Sequence, residues 1–148
     1  MLIFLPCNAE EIIYLHKKRD EKASRILYEY CLGLFDYTPE QVYEIYGYKL
    51  FDVNAVFYDL NNDGVDEIIG YIEVPSSYSR DGANLYILKK DNNKYEDISG
   101  INFSPSSGVH VLDSSSNGYF DINVVVTMQF KTVSAKYNKQ YYEYFLSN

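Results

Sequence analysis

Between Glu11 and Phe35 the apolar residues Ile12, Leu15, Ala23, Ile26, Leu27, Tyr30, Cys31 and Leu34 recur at three- and four-residue steps. A polar block from Lys17 to Lys22 interrupts the stripe with charges of both signs. This pattern predicts one long amphipathic helix over 11–35, the mixed block being a solvated face rather than a binding patch. Thr38, Pro39 and Gln41 then supply an N-cap, a proline at the first helical position and a capping-box partner, so a second, short helix follows. Gly47 is placed to end it.

Beyond Leu50 the period falls from helical to two, and turn residues separate strand-like runs. Residues 54–59 and 67–74 flank an acidic loop. Residues 84–90 and 94–98 flank Asp91, Asn92 and Asn93, which read as a hairpin turn. A third pair, 109–112 and 119–130, encloses 114–118, where Asn117 and Gly118 tolerate positive φ. In its second run Phe120, Ile122, Val124, Val126, Met128 and Phe130 share one face. Tyr119, Asp121, Asn123, Thr127 and Gln129 share the other, Val125 being the exception. A closing hairpin joins 132–137 to 140–146 across Asn138 and Lys139. The Ser-, Gly- and Pro-rich stretches 76–82 and 99–108 are the longest expected loops.

These elements predict an α+β fold, one long and one short N-terminal helix packed on an antiparallel sheet of about six to eight strands. No linker, repeat or low-complexity tract divides the 148 residues, so 10–148 reads as a single α+β domain. Residues 1–9 are apolar, end in Cys7, Asn8 and Ala9, and then turn acidic at Glu10 and Glu11. They read as the tail of a signal peptide, which predicts a periplasmic or secreted protein; a short buried N-terminal strand, or a start placed too far downstream, is the alternative. Cleavage after Ala9 would leave Cys31 alone, a buried thiol without a disulfide partner. No segment approaches the length of apolar chain that spans a bilayer.

A net charge of -8 argues against nucleic acid and against anionic membrane surfaces, whose recognition needs clustered Lys and Arg. It favours a cation or another, basic protein. Seventeen Tyr and eight Phe with no Trp suit half-buried sheet faces and also protein or sugar contacts.

The densest chemistry lies between Asp59 and Glu67. Asp59, Asn61 and Asp63 place oxygen donors at alternate positions, Gly64 supplies the turn, Val65 a backbone carbonyl, and Glu67 a further carboxylate. Calcium takes six to eight oxygen ligands, and a short loop provides them when alternate side chains converge around a sharp turn. Yet Asx side chains also bond to their own backbone, so the same residues are compatible with a plain hairpin turn. An EF-hand is excluded: its twelfth position, a bidentate Glu, is Gly70 here, and the flanks are strand-like.

The stretch resembles the D-x-N-x-D-G-x-x-[DE] loop of FG-GAP repeats. That resemblance covers about a dozen residues and implies a strand-loop-strand unit with a structural Ca2+ bound by Asp59, Asn61, Asp63, Val65 and Glu67. It does not imply a propeller, which needs at least four blades of roughly 40 residues. More loosely, the region from Phe57 onward resembles small exported bacterial proteins of uncharacterised function. These join such a loop to an N-G-[WY]-x-D turn, here Asn117 to Asp121, and to a Tyr-rich final hairpin, here Tyr137 to Tyr142. Such sequences often carry two cysteines before the third strand; residues 78–84 carry none, which puts a disulfide-stapled loop in doubt.

No catalytic pattern emerges. His16 and His110 are the two histidines, and neither H-E-x-x-H nor C-x-x-C occurs. A triad of His110, Asp113 and a serine from 104–107 lacks the G-x-S-x-G elbow. The expectation is therefore a non-enzymatic, exported protein-binding module with a calcium loop that stiffens rather than catalyses. An inhibitor or immunity protein against a secreted cell-wall hydrolase is the neighbouring alternative. A hydrolase acting on polysaccharide or peptide is the alternative of another class.

Overall fold

The computed structural model describes residues 10–74, 78–80, 82–126, 131–141 and 143–147; the expected signal-peptide segment 1–9 lies outside them, as do residues 127–130 of the third predicted strand pair. The class is α+β, but the sheet is not single. Ten strands and two helices are described: β1 (Glu11–Ile13), α1 (Glu21–Leu34), α2 (Pro39–Tyr46), β2 (Val53–Tyr58), β3 (Glu67–Ile72), β4 (Ala83–Asp91), β5 (Lys94–Asp97), β6 (Ile101–Phe103), β7 (Val109–Ser116), β8 (Tyr119–Val126), β9 (Lys131–Asn138) and β10 (Glu143–Ser147). One sheet runs β1-β7-β8-β9-β10; the other runs β2-β3-β4-β5, with β6 also on β4. All these pairings are antiparallel.

The division into two sheets follows from burial on both faces of β2 to β4. Val53, Ala55, Ile68 and Leu88 face a cluster with Ala23, Leu27, Cys31 and Val42 of the helices. Val56, Ile69, Leu85 and Ile87 instead join Val111, Ile122, Val124 and Ala135 of the second sheet. The order is helices, sheet, sheet, with one apolar layer between each pair. Strands buried on both faces read as continuous apolar runs, which carry no alternation to count.

The predicted first helix is shorter than its apolar stripe. Asp20 is the N-cap, its Oδ1 accepting the Ala23 amide at 2.9 Å, and Glu11–Ile13 is instead a strand paired with 109–111. Leu15 packs between the sheets and Ile12 is exposed on β1, so their helical spacing from later residues is coincidental. Arg19 fixes the entry to α1 by donating to the carbonyls of Val53 and Leu50. Buried Ser24 then accepts the Ala55 amide at 3.0 Å, tying α1 to β2. For α2 the local signals hold: Thr38 forms the capping box with Gln41, Pro39 opens the helix and Gly47 closes it at φ +79°.

The second strand of the third predicted pair is less simply two-faced than its alternation suggests. Ile122, Val124 and Val126 are buried as expected, but Tyr119 and Asp121 are buried too. Tyr119 packs on Tyr137 and Tyr144, while Ser114 and Ser116 each donate to the Asp121 carboxylate at 2.7 Å. A bulge between Val111 and Ser115 re-aims that end of β7. Among the described residues no helix is long and apolar enough to cross a membrane.

Candidate functional site

The acidic loop closes the β2-β3 hairpin, Tyr58 being paired with Glu67. Asn62 and Gly64 take left-handed backbone angles, φ +57° and +83°, which turn the chain sharply. Asp59 accepts the amides of Asp63 at 3.2 Å and Gly64 at 2.9 Å, one on each carboxylate oxygen. Asp63 accepts the Val65 amide at 2.9 Å, and that bond is the main reason its carboxyl is held below the usual range. Asp59 and Asp63, the first and third side-chain donors of the motif, therefore serve the turn itself, as Asx side chains do.

Two features remain that a plain turn does not use. The Asn61 Oδ1 is buried and has no hydrogen-bond partner among the described residues. Glu67 is 2% exposed and has no salt-bridge partner among the described residues. Burial pushes its carboxyl up to about 7, against the lowering effect of a 2.7 Å bond from the Leu60 amide; the charges of Asp63 and Asp59 push the same way as burial. Val65 and Asp66 are exposed.

These donors fit a hard cation by chemistry: three carboxylates and an amide oxygen, with the Val65 carbonyl in the motif's seventh position. A carboxylate has about four lone-pair sites, so one amide bond to each oxygen does not exhaust it. Among the described residues, however, no group of three or more His, Cys, Asp or Glu side chains is spaced to hold a metal ion. Here the side chains are turned onto backbone amides.

The loop also reaches the other sheet. Leu60, which has no exposed surface, donates to Glu67 and accepts the Phe120 amide at 2.8 Å. The Tyr144 hydroxyl donates to the Phe120 carbonyl at 2.7 Å, and the Asn117 amide group donates to the Tyr137 carbonyl at 2.9 Å. Tyr137 and Tyr144 lie edge to face at 5.8 Å, and Tyr119 is against both. The loop, the turn at 117–121 and the Tyr-rich hairpin, separate in sequence, are thus one bonded unit. Leu60 has no motif role, and only the co-occurrence of the three segments signals the connection.

The other candidates do not assemble. His110 is 3.2 Å from Glu10. Cys31 is a buried free thiol that desolvation pushes up to about 12, which disfavours the thiolate, although the Tyr86 hydroxyl bonds to it. A separate cavity lies under the helix hairpin, lined by residues between Cys31 and Tyr86 that no single motif contains. Compared with protein families, with curated proteins and with solved structures, the chain matches none.

Proposed function

We propose that the chain is a non-enzymatic binding module whose loop from Asp59 to Glu67 holds a structural calcium ion. The observation that carries this reading is Glu67, a carboxylate buried without a cationic partner among the described residues and bonded through Leu60 to the opposite sheet. Burying an unpaired carboxylate is costly, and a bound divalent cation would offset that cost where a plain turn would not. Asp59, Asn61, Asp63, Glu67 and the Val65 carbonyl would hold the ion, which supplies charge and stiffness. The loop already anchors the turn at 117–121, so its rigidity would be passed to both sheets.

The binding role draws on the exposed apolar side chains of the helix layer and on the acidic surface, which suits a basic protein partner. Export to the periplasm or beyond accords with a loop of low affinity, since extracellular modules meet millimolar calcium. Isothermal titration of chelator-stripped protein with calcium tests the reading. The wild type should bind and Asp63→Ala should not; identical flat titrations would make the loop a turn only.

A further inference from the structure

A cleft of about 500 Å3 is lined by segments that leave the layer between the two sheets. His16 follows Leu15 of that layer, Glu73 follows β3, and Ser104, Pro105 and Ser106 follow β6. Asn54 and Tyr71, cross-strand partners on β2 and β3, supply its buried part. The Tyr71 ring is held edge to face on Phe103 at 5.7 Å, and the Ser104 amide donates to the Val125 carbonyl at 2.7 Å, so the lining is fixed to both sheets. Tyr78, which also borders the cavity under the helix hairpin, completes the cleft. It and Ser104 belong to the two longest loops expected from the sequence, and loops held on a rigid scaffold are where recognition concentrates.

The volume is that of small-molecule sites, which run to about 300–1,000 Å3. Four lining residues, Tyr71, Tyr78, Ser104 and Ser106, carry hydroxyls, Asn54 carries an amide, and Glu73 is the one acidic residue. The Tyr78 hydroxyl is buried and completes no hydrogen bond among the described residues. Burial first, and then the Glu73 carboxylate, raise the hydroxyls of Tyr71 and Tyr78, so both keep their protons to donate.

This set of groups narrows the ligand. No Lys or Arg lines the cleft, and Lys17, next to His16, lies over the Tyr14 ring at 5.0 Å, so an anion would meet Glu73 without a cation to receive it. An amine only donates, and would leave the Asn54 N–H groups and the tyrosine hydroxyl protons without acceptors. A peptide adding as a strand finds the outer edge of β2 taken, because Val53 and Ala55 are bonded to Arg19, Asp20 and Ser24. A ring whose substituents each donate and accept, and whose C–H faces can lie on tyrosine and proline, matches the whole set. We propose that this cleft binds a neutral sugar, with Glu73 and Asn54 taking hydroxyls along one ring edge and Tyr78 gaining the hydrogen bond it lacks. Neither the calcium loop nor the protein-binding role uses these residues, so the site is a further one.

Saturation-transfer-difference NMR on the full chain in chelator tests it, with methyl glucoside, methyl galactoside, methyl mannoside and N-acetylglucosamine set against glucosamine and glucuronate. At least one neutral sugar should give the strongest signal. Its affinity, measured by isothermal titration, should fall about tenfold on Glu73→Gln, which weakens a charge-assisted hydrogen bond, and about threefold or more on Tyr78→Phe. Glu73 is exposed and the Tyr78 hydroxyl has no bond to lose, so circular-dichroism melting should be unchanged in both variants. Silence from every neutral sugar would overturn the proposal. So would equal affinity in wild type and both variants, which would place the sugar elsewhere. A preference for glucosamine that Glu73→Gln abolishes would make the cleft an amine site, and binding that appears only when calcium is restored would assign the sugar to the acidic loop; either result overturns it.

Discussion

The carbonyl of Leu60 accepts the amide of Phe120 at 2.8 Å, joining the acidic loop of one sheet to the first strand turn of the other. Leu60's own amide is held by Glu67 and Phe120's own carbonyl by the Tyr144 hydroxyl. A line of hydrogen bonds therefore runs from β3 through the loop and β8 to β10. Four residues from four segments are fixed relative to each other without a disulfide or a salt bridge.

Tyr144→Phe isolates the last of these bonds, because the ring and its contacts with Tyr119 and Tyr137 remain. The expected cost is about 1–2 kcal/mol, that of a hydrogen bond removed from a partly buried carbonyl. Tyr144→Ala also leaves a cavity and should cost about 3–5 kcal/mol. Urea unfolding followed by circular dichroism checks both, and equal costs for the two variants would show that the hydroxyl contributes nothing.

At Gly70 the helix layer packs tightly on the sheet. A Cβ there would lie 2.6 Å from the Ala55 Cβ, 2.6 Å from Leu27 Cδ2 and 2.8 Å from the Asn54 carbonyl oxygen. The Leu27 tip can move, but the strand backbone and Ala55 cannot without shifting β2. Gly70→Ala should destabilise by about 1–3 kcal/mol or more through overpacking, with no change in calcium titration. A melting temperature equal to wild type would mean that α1 rides on the sheet more loosely than these distances require.

Legibility in the sequence tracks how local each cause is. Thr38, Pro39, Gln41 and Gly47 announce α2 because capping chemistry acts within a few residues. Asn117 and Gly118 likewise announce their turn, at φ +53° and +89°. Short β1 and β6 carry no period, and their partners, 109–111 and 83–85, are remote, so no local pattern reveals them. The loop's oxygen donors are readable by position; Leu60's two bonds are not, because they use only backbone groups. Gly70, legible as the missing EF-hand ligand, is placed by its approach to Leu27, a long-range contact.

Calcium should raise the melting temperature of chelator-stripped protein. For a dissociation constant near 1 mM, about 10 mM calcium stabilises the native state by about 1.4 kcal/mol. For a chain of this size that is a rise of about 4–6 °C. Asp63→Ala should abolish the increment, whereas Asp66→Ala, exposed and outside the ligand set, should retain it. Magnesium, which demands tighter octahedral geometry, should give the smaller shift. An increment in wild type that Asp63→Ala preserves would place calcium elsewhere on the acidic surface.

Asp97 sets a pH dependence remote from the loop. Burial pushes its carboxyl up to about 6, although Oδ1 accepts the amides of Ser99 at 3.0 Å and Ile87 at 3.2 Å; the charge of Glu143 adds to the rise. A carboxyl raised in the folded state keeps its proton there after the unfolded chain has lost it. The unfolded state then binds fewer protons between pH 4 and about 6, so this group's contribution to stability falls across that window and levels off above it. Asp97→Asn keeps an oxygen for both amides and removes the charge. Allowing for partial exposure, the variant should exceed wild type by on the order of 1–2 kcal/mol at neutral pH. At about pH 3, below the unfolded value, wild type is protonated in both states and the difference should shrink. Urea denaturation at a series of pH values checks the sign: a variant less stable than wild type above pH 6 would mean that the two amide bonds outweigh desolvation and that the folded carboxyl is lowered rather than raised.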